Sequence, residues 1–433
     1  GYQNEKEELG EKQLQDTIEK LKQEYRKKDC VILYFIGLTE SYEGEGYDRK
    51  NLKIPQNQEE LLAEIAETVG KDHIAAISFG GAPMDFSFEK NVGAILHMYL
   101  GGQAVGESVA DLISGEVNPS GKLAETIPFS EKDTPAWRYF APPNDDVEYR
   151  ESIFVGYRYY ETFHVPVKYP FGYGLSYTSF SYSELNVPEV YSGGKIQIRF
   201  KIKNIGKVSG AEIVQLYICP IESDVIRSHI ELKGFQKIYL HPGEEKEVIL
   251  ELDERSFSVY DVEKKAFSML SGKYQICIGA SVHDLQLKAN MEVVGNSYFR
   301  NERELFPDYF REQPHGMEIS AEQFYQLLGG EPKHDKEKKR GEYTVYDSYQ
   351  DVVNVSMFGK FVRGVVHIGL KIILRGKSER DPAFKMVKMG VEEGNLEGLI
   401  ATSGGIATPK LIDMLVYNAN KKYLQAFKRL LKK

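Results

Sequence analysis

The chain has 433 residues, of which 42% are hydrophobic and 27% charged. This composition is typical of a globular protein with large cores, and the length suggests about two to four domains. The formal net charge of −9 argues against nucleic-acid binding by the chain as a whole. No apolar stretch is long enough to span a bilayer, and the first residues lack the pattern of a signal peptide.

The charge is unevenly distributed along the chain. Residues 334–433 contain nineteen Lys and Arg and eleven Asp and Glu, a balance of +8. The preceding 333 residues contain 36 basic and 53 acidic residues, a balance of −17. A basic tail therefore follows an acidic body.

Three cysteines, Cys30, Cys219 and Cys277, each lie in an apolar segment. An odd number without framework spacing predicts reduced thiols and a reducing compartment, so we expect a cytoplasmic protein. The sequence contains no zinc-ligand spacing. We therefore predict neither a metal nor a cofactor.

Residues 1–182 alternate between helical and strand patterns. This alternation predicts βαβ units and a mainly parallel sheet, hence an α/β sandwich domain. The predicted helices are 8–26, 58–69 and 105–113, and the predicted strands are 30–37, 73–79 and 92–100. Each strand ends in or is directly followed by glycine, which allows a ligand or another backbone to approach closely.

The loop after the first strand has the sequence Glu-Gly-Glu-Gly-Tyr-Asp-Arg over residues 43–49. Ligands usually bind beyond the carboxyl ends of strands in open α/β sheets, and glycine lets such a loop orient a carboxylate. A solvated turn is the alternative, and local composition alone favours it.

Tyrosine, phenylalanine and glycine are concentrated in residues 155–160 and 169–178. Such a surface can pack on another domain or on a sugar ring. A contact between domains is at least as well supported as sugar binding for most of these tyrosines.

Five motifs, in order and at compatible spacing, resemble the second domain of glycoside hydrolase family 3. They are YEGEGYDR, GGAP, YLGGQAVGESVADLISGEVNPSGKLAETIP, VGYRYYET and YPFGYGLSYTSF. The resemblance covers roughly residues 25–180. It implies an α/β sandwich set against a (β/α)8 barrel, and a retaining, exo-acting, β-glucosidase-like enzyme that hydrolyses terminal β-linked sugars.

The resemblance also implies roles for the charged residues of the loop. A retaining glycosidase needs a nucleophile and an acid/base, two carboxyl groups about 5–5.5 Å apart. The acid must keep its proton, which a raised pKa allows. Glu45 matches the acid/base position, and Asp48 and Arg49 match a pair expected to orient the loop. Glu43 remains an alternative to Glu45.

One half of the catalytic pair has no counterpart in this chain. The nucleophile of the family is an aspartate in the N-terminal barrel, usually followed by tryptophan. The only tryptophan here is Trp137, which follows Ala136, and no eightfold βα pattern occurs. We also expect the α/β domain to start after its first strand or two.

We therefore interpret the chain as the C-terminal portion of such an enzyme. Its barrel would lie on a missing segment or a separate chain, and this chain alone should have little activity. The alternative is a non-catalytic carbohydrate-binding or scaffolding protein built from hydrolase-derived domains.

Residues 184–298 show alternation of apolar and polar residues, as in 196–202, which is typical of half-buried strands. Several short strands with regular turns predict a fibronectin type III-like β-sandwich. This module also resembles the one that follows the α/β domain in many family members. A stabilising brace is favoured over carbohydrate or partner binding.

Residues 299–342 are charged and are predicted to form a linker, and residues 343–433 a basic helical tail. The predicted helices of the tail are 357–375, 386–399 and 411–431. Docking on a membrane surface or partner is one interpretation, and a small self-packed bundle is the favoured one. The sequence leaves the oligomeric state open, so a homo-oligomer remains among the allowed partners.

Overall fold

The structure is a computed structural model. It describes residues 11–25, 30–39, 42–44, 49, 51–140, 147–295, 301–332, 338–373 and 381–431. The chain divides into two compact units, Gly1–Ala82 with Lys333–Lys433, and Pro83–Pro332. Each unit is described by itself below.

The first unit begins with a βαβ arrangement. Its elements are α1 (Glu11–Tyr25), β1 (Ile32–Gly37), α2 (Gln56–Val69) and β2 (Ile74–Phe79). β1 and β2 pair in parallel, from Ile32 opposite Ile74 to Gly37 opposite Phe79. The expected parallel sheet of an α/β domain is thus confirmed.

The two faces of β1 have different environments. Tyr34 and Ile36 are buried, whereas the alternate residues Leu33 and Phe35 are 41% and 52% exposed. A strand that is apolar throughout is typical of a parallel sheet covered on both faces. Within the described residues, only one of the two faces of β1 is well covered.

The second unit starts with short elements. They are β3 (Ala94–His97), α3 (Val105–Ser114), β4 (Ile127–Pro128), α4 (Tyr157–Thr162) and β5 (Val167–Tyr169). β4 and β5 form an antiparallel pair. β3 is shorter than the strand predicted over 92–100, and Tyr99 beyond it has a positive φ of 51°, which ends an extended conformation.

A β-sandwich follows in the same unit. Its strands are β6 (Phe180–Asn186), β7 (Val190–Tyr191), β8 (Ile196–Asn204), β9 (Gly210–Pro220), β10 (Glu231–Leu240), β11 (Glu245–Leu252), β12 (Ser258–Asp261), β13 (Ala266–Met269), β14 (Gly272–Gly279) and β15 (Leu285–Val293). One sheet has the order β10-β9-β14-β15-β7 and another β11-β8-β6. Their inward side chains, including Ile198, Phe200 and Leu216, form one buried core, as the alternating pattern predicts.

The aromatic-rich segments pack against this sandwich. The ring of Tyr157 lies 4.7 Å from that of Phe171 and 6.4 Å from that of Tyr217, measured between centroids. Lys122 forms an ion pair with Glu212 at 2.9 Å, and both side chains are nearly buried. These residues therefore serve a contact between domains, one of the two interpretations that the sequence allowed.

Part of the segment predicted as a linker, 299–342, is packed structure. It contains α5 (Glu302–Leu305) and α6 (Ala321–Leu328). Phe306 and Tyr309 are buried beside Phe154 and Phe163. The hydroxyl of Tyr159 donates to the Gln313 carbonyl at 2.6 Å. The charged composition suggested a linker, because the few aromatic residues that pack residues 301–332 against the unit are widely spaced in the sequence.

The helical tail, 343–433, forms a bundle with its own core. Its helices are α7 (Tyr349–Asn354), α8 (Met357–Ile373), α9 (Pro382–Glu392), α10 (Leu396–Thr402), α11 (Pro409–Ala419) and α12 (Tyr423–Leu431). Val352, Leu396 and Leu415 are among its buried residues. None of the helices in the described ranges is long and apolar enough to cross a membrane.

Two predicted helices of the tail are each divided in the structure. The helix expected over 386–399 breaks at Asn395, whose side chain accepts from Gly398 N at 2.6 Å and starts α10. The helix expected over 411–431 breaks near Lys421, whose φ is 58°. Apolar periodicity continued through both breaks and hid them.

Candidate active site

The carboxyl end of β1 is fixed by the side chain of Gln58 on α2. The amide of Gly37 donates to Gln58 Oε1, and Gln58 Nε2 donates to the Gly37 carbonyl, both at 2.9 Å. Tyr34 adds a bond from its hydroxyl to the Gln58 carbonyl at 2.7 Å. These hydrogen bonds therefore hold the end of β1, where the loop begins, against α2.

A tight turn follows β1. The amides of Tyr42 and Glu43 both donate to the carbonyl of Thr39, at 2.8 and 3.1 Å. Leu38 N still donates to Phe79 O of the neighbouring strand, at 3.2 Å. The turn folds Glu43 back toward the end of β2.

Glu43 connects this turn to the loop after β2. Its Oε1 accepts a hydrogen bond from the amide of Gly81 at 2.6 Å. Its Oε2 is buried and, among the described residues, has no hydrogen-bond partner. The two loops that leave adjacent parallel strands are thus joined by one carboxylate.

Arg49 lies near Glu43. Its Nη2 donates to the Lys53 carbonyl at 3.5 Å, a long contact. Partial burial lowers the pKa of Arg49, and the negative charge of Glu43 opposes that shift. The structure therefore brings together two of the four loop residues singled out in the sequence, Glu43 and Arg49.

The other two, Glu45 and Asp48, lie outside the described residues. Their roles as acid/base and as a loop-orienting residue remain predictions. Among the His, Cys, Asp and Glu residues that the structure does describe, no group of three could hold a metal ion.

A polar cluster that sequence reasoning missed occurs in the second unit, after β3. Burial raises the pKa of Tyr99, and the negative charge of Glu125 adds to the shift. Burial also raises the pKa of Glu125. The rings of His97 and Tyr99 lie 4.1 Å apart. The feature of the sequence that could have indicated this cluster is the pair of polar aromatic residues, His97 and Tyr99, just before Gly101-Gly102.

A second missed group stabilises the same unit. Tyr169 donates to Glu89 Oε2 at 2.6 Å, and Lys168 forms an ion pair with the same carboxylate. Burial raises the pKa of Glu89, but the hydrogen bonds from Lys168 and Tyr169 outweigh it and leave the pKa below its ordinary value. A carboxylate held ionised in this way anchors β5 rather than donating a proton.

Comparison with known proteins identifies the domains. Residues 2–177 match the glycosyl hydrolase family 3 C-terminal domain. This part of the chain therefore corresponds to the C-terminal domain of that family. Residues 212–282 match the fibronectin type III-like domain. Both assignments made from the sequence motifs are confirmed.

The similar proteins are longer glycosidases. Thermostable β-glucosidase B of Acetivibrio thermocellus is 42% identical over 64% of this chain and 37% of its own length. An exo-α-(1→6)-L-arabinopyranosidase of Bifidobacterium breve is 37% identical over 63% of this chain and 36% of its own length.

A solved structure shows the same relation. The family 3 β-glucosidase of Bifidobacterium adolescentis aligns with a TM-score of 0.63 and 35% identity, over 67% of this chain and 42% of that one. The chain thus spans little more than a third of the length of the curated relatives it matches.

Proposed function

We propose that this chain supplies the acid/base glutamate, Glu45, to a retaining glycosidase that cleaves terminal β-linked sugars. The nucleophile would lie on a segment or chain beyond these residues. The match of residues 2–177 to the family 3 C-terminal domain and the names of similar proteins, a β-glucosidase and an arabinopyranosidase, support a glycosidase-type function.

The observation that carries the proposal is the contact between Glu43 and the Gly81 amide. This hydrogen bond joins the loops after β1 and β2, so the carboxylate of Glu43 is used to hold the two loops together. A general acid must instead reach the leaving oxygen and transfer a proton to it. Glu43 therefore suits a positioning role, which leaves Glu45 as the loop glutamate for proton transfer.

In this proposal the loop residues have separate tasks. Glu45 protonates the glycosidic oxygen in the first step and activates water in the second. Glu43 ties the loop to Gly81, and Arg49 offsets part of the negative charge that Glu43 brings. Fixing the proton donor in this way contributes to catalysis by orientation.

The test uses Glu45→Gln and Glu43→Gln in the protein produced together with its upstream coding segment. Aryl β-glucosides and aryl α-L-arabinopyranosides with good and poor leaving groups serve as substrates. We expect Glu45→Gln to lower kcat/KM by about 10²–10⁴-fold for poor leaving groups and much less for activated ones. Glu43→Gln should lower both alike, because it disturbs position rather than proton transfer.

Equal losses on both substrate classes in the Glu45 variant would remove it as the acid. A leaving-group-dependent loss in the Glu43 variant would transfer that role to Glu43.

A second measurement tests the shared active site. We expect no hydrolysis by this chain alone and activity once the upstream segment is added. Activity by the chain alone would mean that both carboxyl groups lie in it. Sugar binding without hydrolysis in the combined protein would favour the non-catalytic alternative.

A further inference from the structure

The bundle of the helical tail uses only part of the apolar surface of α8. Val362 is buried in the bundle core, and Phe358 and Val366 pack against that core. These positions are four residues apart, so they share one side of the helix. That side accounts for the packing of α8 within the described tail.

A second apolar side of α8 is exposed. We call it the α8 stripe, and it consists of Met357, Phe361, Val365, Ile368 and Ile372, which are 53–89% exposed. Spacings of four, four, three and four residues place them in one continuous row along the 17-residue helix. An apolar row of this length on a surface usually marks an interaction site.

A similar row occurs on α12. The α12 stripe consists of Tyr423, Leu424, Phe427, Leu430 and Leu431, which are 50–68% exposed. Ala426, at the edge of this row, is buried. Two helices of one small bundle therefore pair a packed side with an exposed apolar side.

Charge distinguishes what could cover these stripes. Neither α8 nor α12 contains a single Asp or Glu. Exposed Lys360 and Lys371 directly precede Phe361 and Ile372, so each lies about 100° around the helix from its neighbour and flanks the stripe. Lys421, Lys422 and Lys428 are similarly exposed in and before α12. The occupant must be apolar at its centre and negative around it.

A second copy of the chain fits this pattern poorly. Symmetric pairing of α8 with itself would bring two rows of basic residues together, with no acidic residue on either helix to offset them. A membrane surface has apolar chains beneath a headgroup layer that can be anionic, and amphipathic basic helices lie in that interface.

We propose that the α8 and α12 stripes dock the chain on a membrane surface that carries anionic lipids. The apolar side chains enter the boundary between headgroups and acyl chains, and the flanking lysines contact the headgroups. This role does not depend on the catalytic proposal.

The test is co-sedimentation of the full chain with two kinds of vesicle, one of phosphatidylcholine alone and one of phosphatidylcholine with phosphatidylglycerol. We expect binding to the anionic vesicles, weakening as salt is raised. Phe361→Gln with Ile368→Gln should abolish it, and Val365→Gln with Ile372→Gln should do the same. Lys360→Gln with Lys371→Gln should weaken it by about 25-fold, roughly fivefold for each lysine.

The matched control is Phe235→Gln, which changes an equally exposed phenylalanine (68%) of the sandwich and should leave binding intact. Circular dichroism confirms that each variant remains folded. Failure of the native chain to bind anionic vesicles would overturn the proposal, as would unchanged binding by both stripe variants. Self-association of the native chain without lipid, lost in the stripe variants, would assign the surface to a second copy instead.

Discussion

Strand β8 of the sandwich and helix α8 of the tail differ in the polarity of their outward-facing residues. The outward residues of β8 are Gln197, Arg199 and Lys201, and Arg199 pairs with Glu247 of β11 at 3.2 Å. The outward residues of α8 include the large apolar side chains of the α8 stripe. Both elements also face a closed core.

The difference shows which of the two elements, within the described residues, still has a large apolar surface exposed. A half-buried strand with polar residues outside needs no further cover. Helix α8 has apolar residues on two sides, and only one of these sides is buried. The outward face of β8 is therefore polar and needs no cover, whereas the α8 stripe leaves apolar side chains exposed.

The largest expected effect lies in the sandwich core. Phe200→Ala removes a ring that is 1% exposed, and we expect it to lower the free energy of unfolding by about 3–5 kcal/mol because a cavity remains. Phe235→Ala, on the exposed side of β10, should change it by no more than about 0.5 kcal/mol. Denaturant unfolding of both variants measures the difference. Similar losses in the free energy of unfolding would contradict the assignment of Phe200 to the core and of Phe235 to the exposed side.

An intermediate effect should separate the two sides of α8. Val362 is 7% exposed and Val365 is 53% exposed, although they lie within one turn. We expect Val362→Ala to lower the local stability by about 2 kcal/mol and Val365→Ala to have little effect. Hydrogen exchange of the tail amides in each variant provides the measurement. Equal acceleration of exchange would mean that Val365 is packed in solution.

The smallest effect concerns the ion pair between β8 and β11. The side chains of Arg199 and Glu247 are 40% and 54% exposed, so water and salt screen their attraction. A double-mutant cycle with Arg199→Ala and Glu247→Ala should give a coupling of about 0.2–1 kcal/mol that falls as salt is added. A larger, salt-independent coupling would show that water and salt do not screen this ion pair, and that it contributes substantially to stability.

Local patterns predicted the regular elements well where one physical signal dominated. The alternation in β8 follows from a sheet with one wet face, and it also set which residues form the core. The parallel order of β1 and β2 followed from a helix between two apolar strands. Breaks such as those at Asn395 and Lys421 were missed, because capping and a positive φ interrupt a helix without disturbing its apolar period.

The candidate site was predictable as a loop but not as a set of contacts. Its sequence and family resemblance singled out Glu43, Glu45, Asp48 and Arg49 together. The bond from Glu43 to Gly81 joins residues 38 positions apart, and only the parallel pairing of β1 with β2 brings them together. Glu125 and Tyr99 lie within one of the quoted motifs but were given no role, because burial rather than spacing raises their pKa.

Composition and local order were enough to establish the types of the first two domains, their order and the excess of positive charge in the tail. Tertiary structure alone decided that Glu43 joins two loops, that 301–332 packs rather than links, and that α8 keeps an apolar side exposed. Those outcomes depend on which surfaces meet across long separations in the chain, and that choice is made by packing, not by any local pattern.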